Sequence, residues 1–470
     1  MLFRFVPLIC VTIYLFASCS TPFSGSSNQM KLKPPNIIVI LADDQGYGDL
    51  SCYGSPTIKS PHLDELASNG MRLTNFYAFP SCSPSRAALL TGCYPPRVGI
   101  PDVIGPAGPD WTKNRQYGLH PQEDILPEIL SRVGYRSALI GKWHLGHFPE
   151  TMPLAQGFDY FYGLPYSNDM RPELGEPYPD LTLMRGKNTI KVNPDQSQLV
   201  TAYTNESIAF IERTKDQPFF LYLAHSMPHV PLYASKEFAG RSGQGLYVDV
   251  IEEIDASVGR IVDYLRKKGK LDNTLIIYTS DNGPWLTYGN HAGSAGPFRE
   301  GKGTTYEGGM RVPFIAHWPN GIEAGVISHA SASLIDLLPT LGELAGTEQP
   351  DKTVDGRSLH KLLTEGQQPD ETPFYYYRSG QVEAVRLGKW KLHRPHYFRY
   401  VDQPAFDGEG GSYAHRETEM VLYDLSGDPG ERYNRAEFDP GKVAELLTLI
   451  EAEQERIDRD KRPAWFPPNE

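Results

Sequence analysis

The chain has 470 residues, of which 40% are hydrophobic, and its formal net charge is −12 at pH 7. This length and apolar content suffice for a large core and about two domains. The acidic balance, without a basic tail or stripe, argues against a nucleic-acid-binding protein. The five cysteines, an odd number without a CxxC pair, argue against a disulfide framework and against a zinc site.

The first residues have the pattern of an export signal. Arg4 precedes an apolar stretch over residues 5–16 that is too short to span a bilayer. Residues 16–19 (FASC) have the form of a bacterial lipobox, whose cysteine is lipidated after cleavage; plain cleavage after small residues is the alternative. We predict a lipoprotein-type signal peptide over residues 1–19 and a flexible linker over residues 20–34. The protein is then exported, periplasmic or anchored to the outer membrane, and meets a membrane only through the N-terminal lipid.

From Pro35 onward, short apolar runs alternate with helical patterns. Residues 36–42 (NIIVILA) lack polar alternation, as expected for a strand that is covered on both faces. Similar runs lie at residues 137–142, 219–224, 274–278 and 313–317, and helical patterns lie at residues 61–68, 126–133, 201–214 and 248–268. This alternation predicts an α/β fold with a mostly parallel central sheet and helices on both sides.

Polar motifs follow several of the predicted strands. They are Asp43 and Asp44, Lys142 and His144, the segment from His225 to His229, and Asp281 with Asn282. Ligands of open α/β sheets bind beyond the carboxyl ends of the strands. We therefore expect these side chains to meet in one site.

The pattern changes after Gly346. Residues 347–355 read as a polar linker and residues 358–363 as a short helix. Short antiparallel strands are predicted at residues 374–377, 382–387, 389–393 and 420–424, with a final helix at residues 442–462. We predict one large domain over residues 35–349 and a small C-terminal α+β domain over residues 350–470.

Two pairs of residues with side-chain oxygens suggest a metal site. Asp43 and Asp44 alone indicate little, because acidic residues after a strand commonly cap the next helix. Together with Asp281 and Asn282, they form a set of oxygen ligands without histidine or cysteine, which suits Ca²⁺ or Mg²⁺ better than zinc. The alternative is a group of solvated loop carboxylates.

Four segments carry a family resemblance that extends from about residue 35 to residue 344. They are residues 81–92 (SCSPSRAALLTG), 141–146 (GKWHLG), 225–231 (HSMPHVP) and 302–313 (KGTTYEGGMRVP). In these segments the chain resembles the formylglycine-dependent (type I) sulfatase family. The alternative for Cys82, within the first segment, is a buried structural cysteine beside a helix start.

The resemblance implies an alkaline-phosphatase-like α/β sandwich with a small C-terminal α+β domain, and an enzyme that hydrolyses sulfate esters. A formylglycine-generating or anaerobic sulfatase-maturating enzyme would convert Cys82 to formylglycine, whose hydrated diol is the nucleophile. One Ca²⁺ would be held by Asp43, Asp44, Asp281, Asn282 and the matured residue 82.

The resemblance also implies roles for the basic residues. Lys142 and Lys302 would bind the sulfate oxygens, with Ser167 beside them. Arg86, one helical turn after residue 82, would fix the diol. His144 would take a proton from the diol when sulfate leaves, and His229 would protonate the departing alcohol.

Family substrates are sulfated galactose and N-acetylgalactosamine in glycans, so the implied partner is a sulfated carbohydrate. We expect specificity to lie in residues 101–120, 170–195 and 398–415, where the resemblance thins. Trp111, Arg115 and Arg171 are the sugar contacts suggested by these segments.

Two other functions fit parts of this pattern. Phosphoester and phosphonate hydrolases share the fold, and fold alone does not decide between them and a sulfatase. A protein that only binds sulfated glycans, with Cys82 never converted, is the non-enzymatic alternative.

Overall fold

A ten-stranded sheet runs through the centre of the computed structural model, which describes Met1 and residues 34–106, 116–172 and 178–467. Its strands are β1 (Asn36–Ala42), β2 (Met71–Tyr77), β3 (Arg136–Lys142), β4 (Tyr160–Leu164), β5 (Thr182–Arg185), β6 (Asn188–Val192), β7 (Phe219–Ala224), β8 (Thr274–Ser280), β9 (Arg311–His317) and β10 (Val326–Ser333). Their order across the sheet is β10-β2-β9-β8-β1-β7-β3-β4-β5-β6. The run from β8 to β4 is parallel throughout, as is the β10–β2 pair.

Helices cover both faces of this sheet. Those before residue 350 are α1 (Pro61–Ser68), α2 (Cys82–Thr91), α3 (Leu126–Ser131), α4 (Leu199–Thr214), α5 (Leu246–Lys267), α6 (Glu307–Met310) and α7 (Leu337–Ala345). In β1, Ile37 and Val39 join the core formed with α2, α3 and α7. Ile38 and Ile40 join the core formed with α1, α4 and α5. Because successive side chains of a strand point to opposite faces, a strand with a core on each face needs an unbroken apolar run. The predicted α/β class is confirmed.

One of the predicted strands is antiparallel to its neighbours in the central sheet. The run predicted at residues 313–317 is β9, and β9 is antiparallel to both of its neighbours, β2 and β8. After β8 the chain stays at the edge where β8 ends, so β9 starts from that edge and runs back. The other predicted strands and helices occur with ends shifted by at most two residues. Strands β2, β4 to β6 and β10 were not predicted.

A second, antiparallel sheet follows the first along the chain. Its order is β11 (Phe374–Arg378), β12 (Gln381–Leu387), β13 (Trp390–His393) and β16 (Val421–Asp424). A two-stranded ribbon of β14 (His396–Gln403) and β15 (Ser412–Thr418), and the helices α8 (His360–Glu365) and α9 (Pro440–Asp460), complete this part. Its apolar side chains, such as Val385 and Ile450, belong to the same core as α2 and α7. The division of the chain at residues 349 and 350 stays a prediction.

The signal peptide over residues 1–19, with its lipidation site Cys19, and nearly all of the linker over residues 20–34 lie outside the described residues. Export and lipidation therefore stay predictions. Within the described ranges, no helix combines the length and the apolar character that crossing a bilayer requires.

Lys391 forms the centre of a buried ionic cluster between the two sheets. Its Nζ lies 3.0 Å from Glu307 Oε1 and 2.8 Å from Glu431 Oε1, and all three side chains are fully buried. The same Nζ donates to the carbonyl oxygen of Thr305 at 2.9 Å, and it lies 3.9 Å from the ring centroid of Tyr376. The cluster thus attaches β13 to the segment just before β9.

We expect Lys391→Ala to lower the free energy of unfolding by about 3–5 kcal/mol, because it leaves the buried Glu431 without its cation and Glu307 with only Arg311 among the described residues. Lys389→Ala is the matched control two residues away, since Lys389 is 51% exposed and pairs with Asp424. Its expected cost is about 1 kcal/mol or less. Urea unfolding of both variants measures the difference, and equal losses would contradict the role given to Lys391.

Candidate active site

Three strand ends bring acidic and basic side chains together. Asp43 directly follows β1, Asp281 directly follows β8, and Lys142 is the last residue of β3. Strands β8, β1, β7 and β3 are adjacent and parallel, so their carboxyl ends share one edge of the sheet. The structure therefore assembles the site where the sequence predicts it.

Three carboxylates pair with three cations in this site. Lys142 Nζ lies 2.6 Å from Asp43 Oδ2, and Arg86 Nη2 lies 2.8 Å from Asp281 Oδ2. Lys302 Nζ lies 2.7 Å from Asp44 Oδ1. All six side chains are buried. These six residues carry equal numbers of positive and negative charges, which makes their joint burial tolerable.

The pairing changes proton affinities. Burial alone raises the pKa of Asp43, but Lys142 and Arg86 outweigh it and hold that pKa well below its ordinary value. Burial opposes the charge on Lys302, but Asp44 outweighs it and raises the pKa of that ammonium group. Asp43 and Lys302 are therefore charged at neutral pH.

Asp44 has an unusual backbone conformation. Its φ is 67°, in the left-handed region, where aspartate is more common than most residues. Its backbone N–H donates to Asp281 Oδ1 at 3.1 Å, and Asn282 Nδ2 donates to Asp44 Oδ1 at 2.7 Å. These two bonds hold the Asp43–Asp44 turn against the end of β8.

The oxygen atoms of the site fit a hard cation. Asp43 Oδ1 and Asn282 Oδ1 are buried and have no hydrogen-bond partner among the described residues. Asp43, Asp44 and His229 each offer a ligand atom, and these atoms lie within 4.8 Å of one another. Asp281 Oδ1 accepts from Asp44 N and Oδ2 from Arg86, and Oδ1 keeps a lone pair with which it can also bind a cation. Carboxylate and amide oxygens suit Ca²⁺.

Cys82 is the first residue of α2 and lines a cavity above these charges. It is only 2% exposed. Burial raises the pKa of its thiol, so the unmodified side chain is not a thiolate at neutral pH. Arg86, one turn later, donates from Nη1 to the Lys142 carbonyl oxygen at 2.8 Å and so connects α2 to the end of β3.

His144 has the protonation state of a base. Its Nε2 lies 2.8 Å from the carbonyl oxygen of Ile104, which only accepts, so Nε2 carries the hydrogen. Burial, followed by Lys142 and Arg86, lowers the pKa of His144 well below its ordinary value. The neutral ring therefore has its lone pair on Nδ1, which is buried without a partner.

Lys142 pairs with Asp43, whereas His229 lies beside Asp44, the second acid of the turn. Its Nδ1 is 2.5 Å from the Val230 carbonyl oxygen, and its Nε2 is 3.6 Å from Asp44 Oδ2. Burial, followed by Lys302, lowers the pKa of His229. His225 is also buried, and it does not line the cavity.

The cavity has a volume of about 430 Å³. Cys82, His144, Ser167, His229 and Lys302 line it, and Ser167 Oγ accepts from Lys142 Nζ at 3.1 Å. Five of the seven predicted catalytic and sulfate-binding residues thus surround one space, whereas Arg86 and Lys142 are buried behind its wall.

The three segments predicted to carry specificity all reach this cavity. They contribute Asp102 and Val103, Met170 and Tyr178, and Arg399 respectively. Residues 398–415 were considered a loop, but most of them form β14, β15 and their connection. Arg171 does not line the cavity and instead donates to Tyr233 Oη at 2.7 Å. Trp111 and Arg115 lie outside the described residues.

Sequence reasoning missed several wall residues. Trp285 lies with its ring centroid 4.4 Å from Lys302 Nζ and 5.4 Å from that of the His229 ring. Trp285 follows Asn282 by only three residues, and this closeness in sequence to a predicted site residue could have indicated a place in the wall. Arg378, at the end of β11, also lines the cavity, and no motif marks it.

The chain is similar to known proteins over most of its length. A family model described as Sulfatase matches residues 35–347, and one described as N-sulphoglucosamine sulphohydrolase, C-terminal, matches residues 300–458. N-acetylgalactosamine-6-sulfatase of Sus scrofa is 41% identical over 427 residues, which cover 85% of this chain and 81% of that protein. Arylsulfatase A of Homo sapiens is 40% identical over 450 residues, which cover 89% and 86%.

A solved structure gives the same result for the fold. Ps i-CgsB in complex with k-i-k-neocarrahexaose superposes with a TM-score of 0.78 at 28% identity, covering 93% of this chain and 96% of that one. The predicted alkaline-phosphatase-like fold with a small C-terminal sheet is confirmed. With a matching model over most of its length and relatives at about 40% identity, the chain belongs to the sulfatase family of sulfuric ester hydrolases.

Proposed function

We propose that this sulfatase hydrolyses an O-sulfate ester on a sugar, of the galactose or N-acetylgalactosamine type, with formylglycine at position 82 and one Ca²⁺. The observation that supports this most directly is the cavity in which Cys82, two histidines and Lys302 surround one space beside unpartnered carboxylate and amide oxygens. The names of the relatives, which include N-acetylgalactosamine-6-sulfatase, support the choice of sugar.

The two absent groups would supply the nucleophile and a positive charge. Ca²⁺, held by Asp43, Asp44, Asp281, Asn282 and residue 82, would neutralise a sulfate oxygen, and formylglycine would supply the attacking hydroxyl. The chain's own residues bind and orient the ester. Lys302 and Lys142 present ammonium groups to the sulfate oxygens in a buried site, where such contacts are stronger than in water.

The histidines move protons at defined atoms. Nδ1 of His144 has an unpartnered lone pair, which makes it the atom that accepts a proton from residue 82 when sulfate is released. Nδ1 of His229 donates to the Val230 carbonyl oxygen, so Nε2 delivers a proton to the leaving sugar oxygen only from the doubly protonated ring, which burial and Lys302 disfavour. Asp44, 3.6 Å away, favours a proton at that nitrogen.

We expect Cys82→Ala to abolish sulfate ester turnover while the fold remains, because the variant offers no group to convert. Cys52→Ala is the matched control, since Cys52 is a free cysteine outside the cavity and its variant should retain turnover. Mass spectrometry of the tryptic peptide containing residue 82, from a host with a sulfatase-maturating enzyme, identifies the aldehyde. An unmodified thiol in fully active protein would disprove the proposed nucleophile.

We expect His229→Ala to lower kcat/KM by about 100-fold or more on a sugar sulfate and by less than about 10-fold on an activated aryl sulfate. A sugar alkoxide is a poor leaving group and needs the proton, whereas a nitrophenolate does not. His329→Ala, at an exposed position on β10, controls for loss of a histidine and should change neither rate. Equal losses on both substrates would remove His229 from the acid role.

We expect the chelator-treated protein to bind one Ca²⁺ in calorimetry, and Asp43→Asn to bind it at least about 10-fold more weakly, because a charged oxygen ligand is lost. Asp263→Asn, 70% exposed on α5, should bind as the unaltered protein does. Calcium affinity that is unchanged in Asp43→Asn would contradict the assigned ligand.

A further inference from the structure

Arg399 is a cavity residue without an acidic partner. It lies on β14, and its Nη2 donates to the Lys302 carbonyl oxygen at 3.1 Å. The guanidinium group lies 4.4 Å from the Tyr413 ring centroid, and its Nε is buried with no hydrogen-bond partner among the described residues. Burial lowers the pKa of Arg399, and Tyr413 and Asp44 offset this effect only in part.

Arg378 is a second cation of the same wall. It is the last residue of β11, and its Nη1 donates to the Tyr397 carbonyl oxygen at 3.1 Å. Its partner Tyr397 lies two residues before Arg399 on β14, and both arginines line the same cavity, so the two guanidinium groups belong to one wall. In the described part of the chain, neither guanidinium has a carboxylate oxygen within 4.0 Å.

The acids of the cavity do not neutralise this pair. Asp43, Asp44 and Asp281 are each matched by a cation of the site. Two acids lie in the cavity wall. Asp102 Oδ1 accepts from Ser379 Oγ at 3.0 Å, and the charge of Asp169 partly offsets the burial that lowers the pKa of His229. Asp102 and Asp169 equal the two arginines in number, but among the described residues neither acid forms an ion pair with Arg378 or Arg399. Both guanidinium groups therefore lack a carboxylate partner beside the reacting groups.

Adjacent, unpaired guanidinium groups repel each other, and a partly buried one has lost hydration. An anion with two or more oxygens relieves both effects, because the planar fork of arginine binds carboxylate and sulfate through paired hydrogen bonds. Glycine at position 303 leaves room for the Arg399 guanidinium group, because a Cβ there would come within 2.3 Å of Arg399 Nη2.

We propose that Arg378 and Arg399 form a subsite for a second anionic group of the substrate, distinct from the sulfate that is cleaved. The inference rests on the proposed function, since it specifies the glycan as one with another charge near the scissile ester. That charge is a uronate carboxylate on the neighbouring sugar or a second sulfate on the same sugar.

The test compares three substrates that contain the same scissile sugar sulfate. One is a disaccharide with a uronate as the second sugar, the next is that disaccharide with its carboxyl group reduced, and the last is the sugar carrying a second sulfate. We expect kcat/KM of the mature protein to be at least about 10-fold higher on an anionic substrate than on the reduced one. Whichever anionic substrate is hydrolysed faster, the uronate disaccharide or the doubly sulfated sugar, identifies the anionic group that the arginines bind.

Arg378→Gln and Arg399→Gln should each reduce this preference by about 10-fold. Arg394→Gln is the charge-matched control, because Arg394 bonds to Gln381 outside the cavity and should keep the preference. Arg399→Lys should restore part of it if charge is responsible. If Arg399→Gln does not fold, Arg378→Gln and the loss of preference in high salt provide the test.

The outcomes separate the two proposals. Hydrolysis of the reduced disaccharide by the mature protein supports the proposed function whatever the arginines do, and its absence on all sulfate esters contradicts that function. Equal rates on neutral and anionic substrates, or a preference that persists in both Gln variants, would overturn the arginine subsite.

Discussion

The structure depends on the mutual neutralisation of three acids and three bases that are buried at one edge of the central sheet. Each of these charges would cost several kcal/mol to bury alone. Asp43, Asp281 and Lys142 have their places because β1, β8 and β3, three of four neighbouring parallel strands, end there. The left-handed conformation of Asp44 and the position of Lys302 are held by bonds to this same group. The enzyme thus retains a charged, dry site that only an assembled sheet can provide.

The second sheet is part of that assembly. Lys391 holds the carbonyl group of Thr305, and Arg399 holds that of Lys302, which lies 97 residues earlier in the chain. The segment that carries Lys302 is therefore fixed from one side by the central sheet and from the other by the later strands. Lys391 and Arg399 thus position the backbone of residues that lie 86 and 97 residues earlier in the chain.

The site was predictable from the sequence to the extent that it follows the ends of parallel strands. Asp43, Lys142, His229 and Asp281 could be brought together because such ends meet at one edge. The wall of the cavity could not. Arg378 and Arg399 belong to short antiparallel strands whose packing against the first sheet depends on tertiary contacts, and no local pattern reports these. The direction of β9 was missed for the same reason, since an apolar run does not encode parallel or antiparallel pairing.

The burial of helix α2 limits when an enzyme can reach Cys82. Every residue from Cys82 to Thr91 is buried, including Pro84 and Arg86 of the modification signal. An enzyme that recognises this signal needs several consecutive side chains and their backbone within its own cleft. The folded helix, closed in by the sheet and by α7, presents only Cys82 and Pro84, and these only to the cavity. If residue 82 is converted as proposed, conversion must precede folding, and a molecule that folds first would remain inactive until it unfolds again.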